Sequence, residues 1–390
     1  MKRAYLLTIL LPLAIAMLQI TPVLAWDYDN NRIACSADGN NQADNHPEAQ
    51  WPRADPDDWA ATPAALAIIA KLGLQGKLVH YSFNNFIGSP PHTSDKNQME
   101  ISTSGAISRW GYNSNIFFDV TLKLDAARTH LKNEIAKSTA QDPLYYIHMG
   151  PSEFLYQAVE EAINDGVTDA FNHVYIVSHS GYNDNHKRRN SHHTMEQVRS
   201  KAGDRMNYKR IKDQNGANDP NKLWNAGSNF SVYHWIRDHK DKTIPFIYER
   251  MEAHPGNKAD PSDCGMVYWL LTGDEDGNPI KFKNFIGDGI SVTAIQSPQH
   301  GSHNPLSCKI GFTHSGKEII IAFTYLQNKH ITCSIIDLMG KIRVRQSFKV
   351  TADGTLRAVN IESIPPGMYF IHIRRGNETI TKKLLKSRVF

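Results

Sequence analysis

Residues 32–41, Arg-Ile-Ala-Cys-Ser-Ala-Asp-Gly-Asn-Asn, decide the fold of the N-terminal part of the chain. The run 32–36 is typical of a short buried strand, and the polar residues after it are typical of a turn. Four further strands are predicted at 77–83, 143–148, 173–179 and 244–247, and helices at 63–72, 124–137, 153–164 and 231–239. Strands that alternate with helices predict an α/β domain with a mainly parallel sheet flanked by helices.

The last ninety or so residues show a different pattern, without helical periodicity. Six strand-like runs recur there, at 318–323, 331–337, 342–348, 356–361, 367–374 and 379–385. Their spacing of about ten residues predicts a small C-terminal β-sandwich. A stretch rich in Gly, Ser, Pro and His at 296–305 is typical of a linker. We therefore expect a first domain at 26–297 and the sandwich at 298–390.

Composition narrows the class of protein. The 390 residues allow two or three domains, and 41% hydrophobic with 21% charged residues excludes a disordered or fibrous chain. A mean hydropathy of -0.45 excludes a protein with many membrane spans. Residues 301–390 contain 14 Lys and Arg against 5 Asp and Glu, whereas residues 1–300 contain 29 against 34. The first domain therefore lacks the clustered basic charge that nucleic-acid binding requires.

The N-terminus has the pattern of an export signal. Lys2 and Arg3 precede an apolar stretch that ends near Ile20, and Val23-Leu24-Ala25 is typical of a cleavage site. The stretch is interrupted and short for a membrane span, although an uncleaved anchor is the alternative. We expect a signal peptide at 1–25, no stable membrane span, and export through the periplasm to the cell surface or the medium.

Aspartates are concentrated directly after the first predicted strand. Within 21 residues the chain places Asp38, Asp44, Asp55, Asp57 and Asp58. Thr62-Pro63 is typical of a helix N-cap followed by a first-turn proline, so we expect the main helix to begin there. Single aspartates at this place can simply cap the helix. Several carboxylates that converge repel one another unless a hard cation lies among them, and such oxygen-rich sites suit Ca²⁺.

This arrangement resembles the nucleoside-hydrolase superfamily, whose chains open with a strand, an Asp, and then an Asp-Asp pair that leads into a helix. Three parts of the chain match in order: Asp38 with Asp57-Asp58, the strand that ends in Met149-Gly150-Pro151, and Asp263 within residues 260–266. The match covers residues 32–275 and implies a Rossmann-like, nucleoside-hydrolase-like sheet.

The resemblance also implies a site. Asp38, Asp58, Asp263 and the backbone carbonyl of Met149 would hold one Ca²⁺, together with two vicinal sugar hydroxyls and a water. Asp57 would take a proton from that water as it attacks the anomeric carbon, in line with how a cation and a free carboxylate activate water.

The chain departs from the family in two places. An insert at 42–54 separates the first Asp from the pair, and Ser262 stands where purine-type members often have a His that protonates the leaving group. The insert implies that the loop over the site is rebuilt. Ser262 disfavours protonation of a nucleobase, and export from the cytoplasm points the same way, so we expect a carbohydrate or another glycoside rather than a nucleoside as substrate.

Further polar and aromatic residues are predicted around the site. Asn84 and Asn85 follow a strand and match a family Asn that contacts the sugar, while Asn229 resembles another; turn-forming asparagines are the alternative. His179 follows another strand, where it could replace the missing acid or serve as a structural histidine. Trp51 lies in the insert, where its ring could stack on a sugar.

The C-terminal unit resembles the type A sorting domain of the type IX secretion system of Bacteroidetes-type bacteria. The resemblance rests on three runs: Ile335–Lys341, Ile364–Phe370 and Lys382–Lys386. It implies an address that the secretion machinery reads and that is usually removed at the outer membrane. A carbohydrate-binding β-module is the alternative for this unit.

We therefore predict a secreted, calcium-dependent glycoside hydrolase of nucleoside-hydrolase-like fold. The alternatives are an extracellular ribonucleoside N-glycosyl hydrolase and a non-catalytic glycan-binding protein. The basic run 186–193 is expected to be a solvated loop, with a contact to an anionic glycan as the alternative. Cys35 and Cys264 adjoin the presumed ligands, so a disulfide between them and two buried free thiols both stay open.

Overall fold

The computed structural model describes residues 26, 28, 30–39, 43–49, 55–90, 97–215, 224–290, 307–312, 318–324, 329–350, 356–375 and 378–386. The predicted signal peptide, the predicted linker with its boundary at 297, and Trp51 lie outside the described residues. Within the described part of the chain, no helix is long and apolar enough to cross a membrane.

A six-stranded parallel sheet forms the centre of the first domain. Its strands are β1 (Arg32–Ala37), β2 (Leu78–Phe83), β3 (Phe117–Asp119), β4 (Leu144–Met149), β5 (Val174–Ser178) and β6 (Asn207–Arg210). Every neighbouring pair is parallel, in the order β3-β2-β1-β4-β5-β6. This is the order of a doubly wound fold, in which the chain changes direction between β1 and β4. The predicted parallel sheet is confirmed.

Ten helices accompany the sheet within the described residues: α1 (Asp58–Lys71), α2 (Gln98–Trp110), α3 (Val120–Ala136), α4 (Glu153–Asn164), α5 (Gly181–Asn185), α6 (Met195–Lys201), α7 (His234–Arg237), α8 (Pro245–Glu252), α9 (Cys264–Thr272) and α10 (Pro279–Ile286). The helices cover both faces of the sheet. Successive strand residues point to opposite faces, so each face needs its own layer of helices to bury its apolar side chains. Ile33 and Cys35 of β1 pack with α1, α8 and α9 on one face. Ala34 packs with α3, α4 and α6 on the other.

The predicted strand at 244–247 is wrong, because these residues begin α8. Pro245 occupies the first turn of that helix, where its missing N–H costs nothing. Phe246, Ile247 and Met251 are buried on one helical face. A short apolar run does not by itself separate a buried strand from a buried helix. The sequence interpretation also missed the strands β3 and β6 and the helices α2, α5, α6 and α10.

The start of α1 also differs from the prediction. Asp57 is the N-cap and the helix begins at Asp58, so Pro63 lies inside it instead of in its first turn. A proline cannot donate to the carbonyl four residues earlier, which is that of Trp59. The Ser102 hydroxyl of α2 supplies the missing hydrogen bond to the Trp59 carbonyl at 2.7 Å. The Asp57-Asp58 pair is therefore part of the helix N-terminus.

The C-terminal unit contains two antiparallel sheets. Its described strands are β7 (Ser307–Phe312), β8 (Glu318–Thr324), β9 (Lys329–Asp337), β10 (Ile342–Val350), β11 (Leu356–Asn360), β12 (Gly367–Arg375) and β13 (Glu378–Lys386). One sheet has the order β10-β9-β12-β13 and the other β11-β8-β7. Ile321 and Val359 of the smaller sheet share one apolar core with Ile335 and Ile371 of the larger. The predicted β-sandwich is confirmed, and β7 is a strand that the sequence interpretation missed.

Candidate functional site

The candidate site lies at the carboxyl ends of β1 and β4, where the order of the strands in the sheet reverses. β1 and β4 pair side by side up to Ala37 and Met149, and the Asp38 N–H then donates to the Met149 carbonyl at 3.1 Å. A Cβ on Gly150 would lie 2.8 Å from the Asp38 Cβ, so a side chain there would collide with Asp38. Ligands of doubly wound sheets bind in the crevice at this point. Asp38 and the Met149 carbonyl are therefore neighbours there, as the sequence predicted.

The N-terminus of α1 brings its acidic pair to the same place. The Asp58 Oδ2 accepts from the Asp38 N–H at 2.8 Å, and the Trp59 indole donates to the Gly39 carbonyl at 2.9 Å. The Asp57 Oδ1 accepts from the Asp58 N–H at 3.0 Å. The second oxygen of Asp58, Oδ1, is buried and has no hydrogen-bond partner in the described part of the chain. An unpartnered buried carboxylate oxygen is costly unless something else binds it.

Asp263 completes the arrangement from the other side. It is the N-cap of α9 and is hydrogen-bonded to His179, which directly follows β5. The second nitrogen of this imidazole lies 3.5 Å from Asp213. Burial lowers the pKa of His179, but the charges of Asp263 and Asp213 outweigh it and raise the pKa to about 10. The predicted acid His179 is thus in contact with the late aspartate and holds it in position.

The carboxylates act strongly on one another. Burial first, and then the charges of Asp57 and Asp263, raise the pKa of Asp38 to about 7. Burial and the charges of Asp38 and Asp263 hold the pKa of Asp58 well above its usual range. Burial also raises the pKa of Asp57. The structure therefore brings together Asp38, Asp57, Asp58 and Asp263, the four aspartates with predicted roles.

Two more aspartates belong to this acidic cluster, which we define as Asp38, Asp55, Asp57, Asp58, Asp260 and Asp263. Burial and the charges of Asp57 and Asp38 raise the pKa of Asp55 far above its usual range. Burial and the charge of Asp57 raise the pKa of Asp260 to about 8. Both stand in the same short acidic motifs as the predicted ligands, which is the signal that could have identified them.

The donor atoms of the acidic cluster are of the type that binds a hard cation. These donors are carboxylates and one backbone carbonyl, which Ca²⁺ prefers. One Asp58 oxygen has no hydrogen-bond partner within the described ranges. Among the described residues, no three His, Cys, Asp or Glu side chains already surround one point with the spacing of a metal site. Calcium binding therefore stays a prediction.

The asparagines differ in what they contact. Asn84 has a φ of +59° and donates to Asp119 at 2.9 Å, while Asn85 donates to Ser36 of β1. Both are fully buried where β2 ends. Their side chains tie strand ends together, and their predicted contact with a sugar stays a prediction.

Asn229 is exposed, and its side chain caps the following turn by accepting from the Ser231 N–H at 3.2 Å. Asn225, four residues earlier, donates to Asp260 of the acidic cluster instead. No sequence signal separated these two asparagines, because both lie in turn-like surroundings. Substrate contact by Asn229 stays a prediction.

Asp44 has a different role from the other early aspartates. It accepts hydrogen bonds from Arg188 and Arg189, each at 2.8 Å. Burial opposes ionisation, yet these two arginines lower the pKa of Asp44 to about 2. The prediction of a solvated basic loop at 186–193 is wrong for Arg188, which is fully buried.

The cysteine question is decided in favour of free thiols. Cys35 on β1 and Cys264 at the start of α9 are both buried and unbridged. Burial raises the pKa of each thiol, so both are inert.

Comparisons with known proteins place the C-terminal unit. Residues 315–387 match the family model of the secretion system C-terminal sorting domain. A protein of Formosa agariphila named uncharacterized protein P22 is 27% identical over 264 residues, which cover 63% of this chain and 85% of that protein. A solved structure from Saccharophagus degradans is described as a nucleoside hydrolase-related hypothetical protein associated with carbohydrate metabolism. It is 10% identical with a TM-score of 0.38, and the alignment covers 90% of this chain and 98% of that one. The chain therefore carries a type IX secretion sorting domain after its parallel α/β domain, and it is exported to the cell surface or the medium.

Proposed function

We propose that the parallel α/β domain is a calcium-dependent glycoside hydrolase that acts outside the cell. One observation carries this proposal: six aspartates meet at the point where the sheet changes direction, and burial and mutual repulsion raise the pKa of five of them. A structural role does not explain this cost, because one aspartate suffices to cap a helix. Concentrated charge of this kind is typical of a functional site.

Asp38, Asp58, Asp263 and the Met149 carbonyl would hold the cation. A bound Ca²⁺ would lower the pKa of a nearby water and orient vicinal sugar hydroxyls. His179 contributes by fixing the orientation of Asp263, as residues that support metal ligands do. The unpartnered oxygen of Asp58 is the donor that most needs the ion.

Asp57 is the residue to which we assign general-base catalysis. A hydrogen bond from Asp55 lowers its pKa, in opposition to burial. Burial raises the pKa of Asp55 and the same contact adds to that rise, so we assign the base to Asp57 and the proton of the pair to Asp55. Two adjacent carboxyls whose pKa values are pushed apart can act as base and acid. Anionic carboxylates around the anomeric carbon would also stabilise a transition state with positive charge.

The test is hydrolysis by the full chain with Ca²⁺ and after chelation. A panel of nitrophenyl glycosides is compared with inosine and uridine, since release of free base would identify a ribonucleoside hydrolase instead. We expect sugar release from glycosides that requires Ca²⁺. Binding without any product would identify a glycan-binding protein.

The variant Asp57→Asn should lower kcat by at least about 100-fold and keep calcium binding, because general-base catalysis contributes about 10²–10⁴-fold. Asp125→Asn is the matched control, since the Asp125 side chain is 88% exposed on α3. If Asp57→Asn retains full activity, Asp57 is not the base.

A further inference from the structure

A buried arginine lies beside the acidic cluster and has unfilled hydrogen-bonding capacity. Arg188 follows α5 and has no solvent exposure. Its Nε donates to Asp44 at 2.8 Å and to Ser89 at 3.1 Å, and its guanidinium lies 4.4 Å from the centre of the Phe86 ring. Among the residues that the structure describes, neither Nη1 nor Nη2 has a hydrogen-bond partner. Four N–H donors of a buried cation are therefore unused.

Arg188 also shares the carboxylate that it contacts directly. Asp44 accepts from Arg188 and, with the same oxygen, from Arg189 at 2.8 Å. One carboxylate thus faces two guanidinium groups, all of them buried. A buried charge without a full counter-charge is strongly unfavourable. An anion at Nη1 and Nη2 would correct both the charge and the missing hydrogen bonds.

Arg32 shows what a structural arginine looks like in this same protein. It is also buried, and its Nη1 donates to the Glu134 carbonyl at 2.7 Å. Its Nη2 donates to Ser138 at 3.1 Å and to the Asp142 carbonyl at 2.9 Å. Both Nη atoms of Arg32 therefore have protein partners. Arg188 departs from this pattern.

Arg188 is close to the proposed reaction centre, because its guanidinium packs on the ring of Phe86 and the N–H of the preceding Asn85 donates to the Ala37 carbonyl, directly before Asp38, at 3.2 Å. Burial lowers the pKa of Arg188, and the charges of Asp44 and Asp38 oppose that effect. Tyr182 of α5 is influenced by both groups: burial and the charges of Asp38, Asp55 and Asp57 raise its pKa, whereas Arg188 opposes the rise. Tyr182 is 38% exposed, so solvent approaches this region.

We propose that Arg188 binds an oxyanion of the substrate, a uronic-acid carboxylate or a sulfate ester, and that the hydrolase acts on an anionic glycan. Anion binding by Arg188 is inferred from its unpartnered Nη atoms. Hydrolysis of an anionic glycan rests in addition on the proposed function. The free edge of a guanidinium matches two oxygens of one anion, which gives strength and orientation together. An anion held there orients the sugar against the acidic cluster.

Binding is measured by calorimetry on the full chain carrying Asp57→Asn, with Ca²⁺ and in a chloride buffer free of phosphate and sulfate. The probes are methyl glucuronide, glucose 6-sulfate and neutral methyl glucoside. We expect at least one charged sugar to bind more tightly than the neutral one. Binding of the glucuronide alone identifies a carboxylate, and binding of the sulfate alone identifies a sulfate ester.

The added variant Arg188→Gln should weaken binding of that charged sugar by about 10- to 100-fold, as expected for hydrogen bonds to an ionised group. Arg188→Lys keeps the charge without the fork and should recover only part of the affinity. Lys187→Gln is the matched control, because Lys187 is adjacent and partly exposed, with its Nζ on the Asn190 carbonyl at 3.2 Å. Its affinity should equal that of the parent.

The melting temperature separates binding from a structural role. Loss of Arg188 leaves Asp44 paired one-to-one with Arg189, so the melting temperature of Arg188→Gln should hold or rise without ligand. A large fall would show that Arg188 is structural and would overturn the proposal. Equal affinity of charged and neutral sugars, no sugar binding at all, or unchanged affinity in both Arg188 variants would overturn it too.

This experiment is independent of turnover, since the Asp57→Asn chain is used throughout. If sugar binding depends on Arg188 but the wild-type chain releases no sugar, the anion site is supported and the hydrolase activity is contradicted. If the chain hydrolyses neutral glycosides and does not prefer anionic ones, the hydrolase activity is supported and the anion site is contradicted.

Discussion

Asp263 and His179 form the contact on which the proposed cation site most depends. Asp263 reaches the acidic cluster from α9, and His179 fixes it from the end of β5. A carboxylate that acts as a ligand and a histidine that orients it should differ in effect when they are replaced. Supporting residues typically change metal affinity by about 10- to 100-fold, and direct ligands by more.

We therefore expect a graded series in calcium binding. Asp263→Ala should remove high-affinity binding, and His179→Gln should weaken it by about 10- to 100-fold, both measured by calorimetry. Asp165→Ala is the control, because Asp165 is a half-exposed carboxylate that pairs with Lys132. Calcium affinity that is unchanged in Asp263→Ala would remove Asp263 from the ligand set.

At the scale of elements, α1 contains a proline in its interior and depends on α2 for compensation. Pro63 leaves the Trp59 carbonyl without its helical donor, and Ser102 supplies a hydrogen bond at 2.7 Å. The same hydroxyl accepts from Arg250 of α8 at 3.0 Å, so it joins three helices. This contact keeps the helix intact directly behind the Asp57-Asp58 pair.

Ser102→Ala should lower the free energy of unfolding by about 1–3 kcal/mol, because it leaves a buried carbonyl unsatisfied. The loss should shrink in a Pro63→Ala background, where residue 63 has an N–H that can reach the Trp59 carbonyl. Denaturant unfolding of the four chains measures the coupling. Ser104→Ala, an exposed serine of the same helix, is the control. Equal losses in both backgrounds would show that Ser102 does not compensate for the proline.

Whether a helix or strand could be predicted from the sequence depends on its length and on what packs against it. The helices α1, α3 and α4 and the strands β1, β2, β4 and β5 were recognisable because each has a clear apolar pattern. The 13-residue helix α2 was missed. β3 has three residues and β6 four, too few to show a period. The run at 244–247 was wrongly predicted because its burial under α1 and α7, not its local pattern, makes it a helix.

For the whole molecule, the raised carboxyl pKa values connect pH to stability. Asp38 and Asp260 have folded pKa values of about 7 and about 8, against an ordinary value of 3.8. At pH values between 3.8 and these folded pKa values, the folded chain binds more protons than the unfolded chain. The free energy of unfolding therefore falls as the pH rises. His179, with its pKa raised to about 10 from 6.5, acts in the same direction above pH 6.5.

Without Ca²⁺, the free energy of unfolding should therefore fall by on the order of 4 kcal/mol between pH 6.5 and 8. Millimolar Ca²⁺ should reduce this fall, because a bound cation favours the ionised carboxylates. Thermal unfolding at constant ionic strength, with NaCl in place of CaCl₂ as the control, measures both slopes. Parallel slopes with and without Ca²⁺ would contradict a cation at the acidic cluster.

The sequence by itself determined what depends on neighbouring residues. The strand that ends in Asp38, the Asp57-Asp58 pair, the Gly150 turn and the sorting domain each follow from local patterns of burial, turn chemistry or charge. Strand ends of a parallel sheet necessarily meet at one edge, so the place of the acidic cluster was also predictable.

Only the tertiary structure decided which distant side chains face each other. His179 and Asp263 are 84 residues apart, and Asp44 and Arg188 are 144 apart. Nothing local distinguishes an aspartate that will meet an arginine from one that will meet other aspartates. Helix packing and loop paths set these pairings, and with them the burial that makes a guanidinium without a full partner costly. For that reason the sequence could indicate the acidic cluster but not the burial of the arginine beside it.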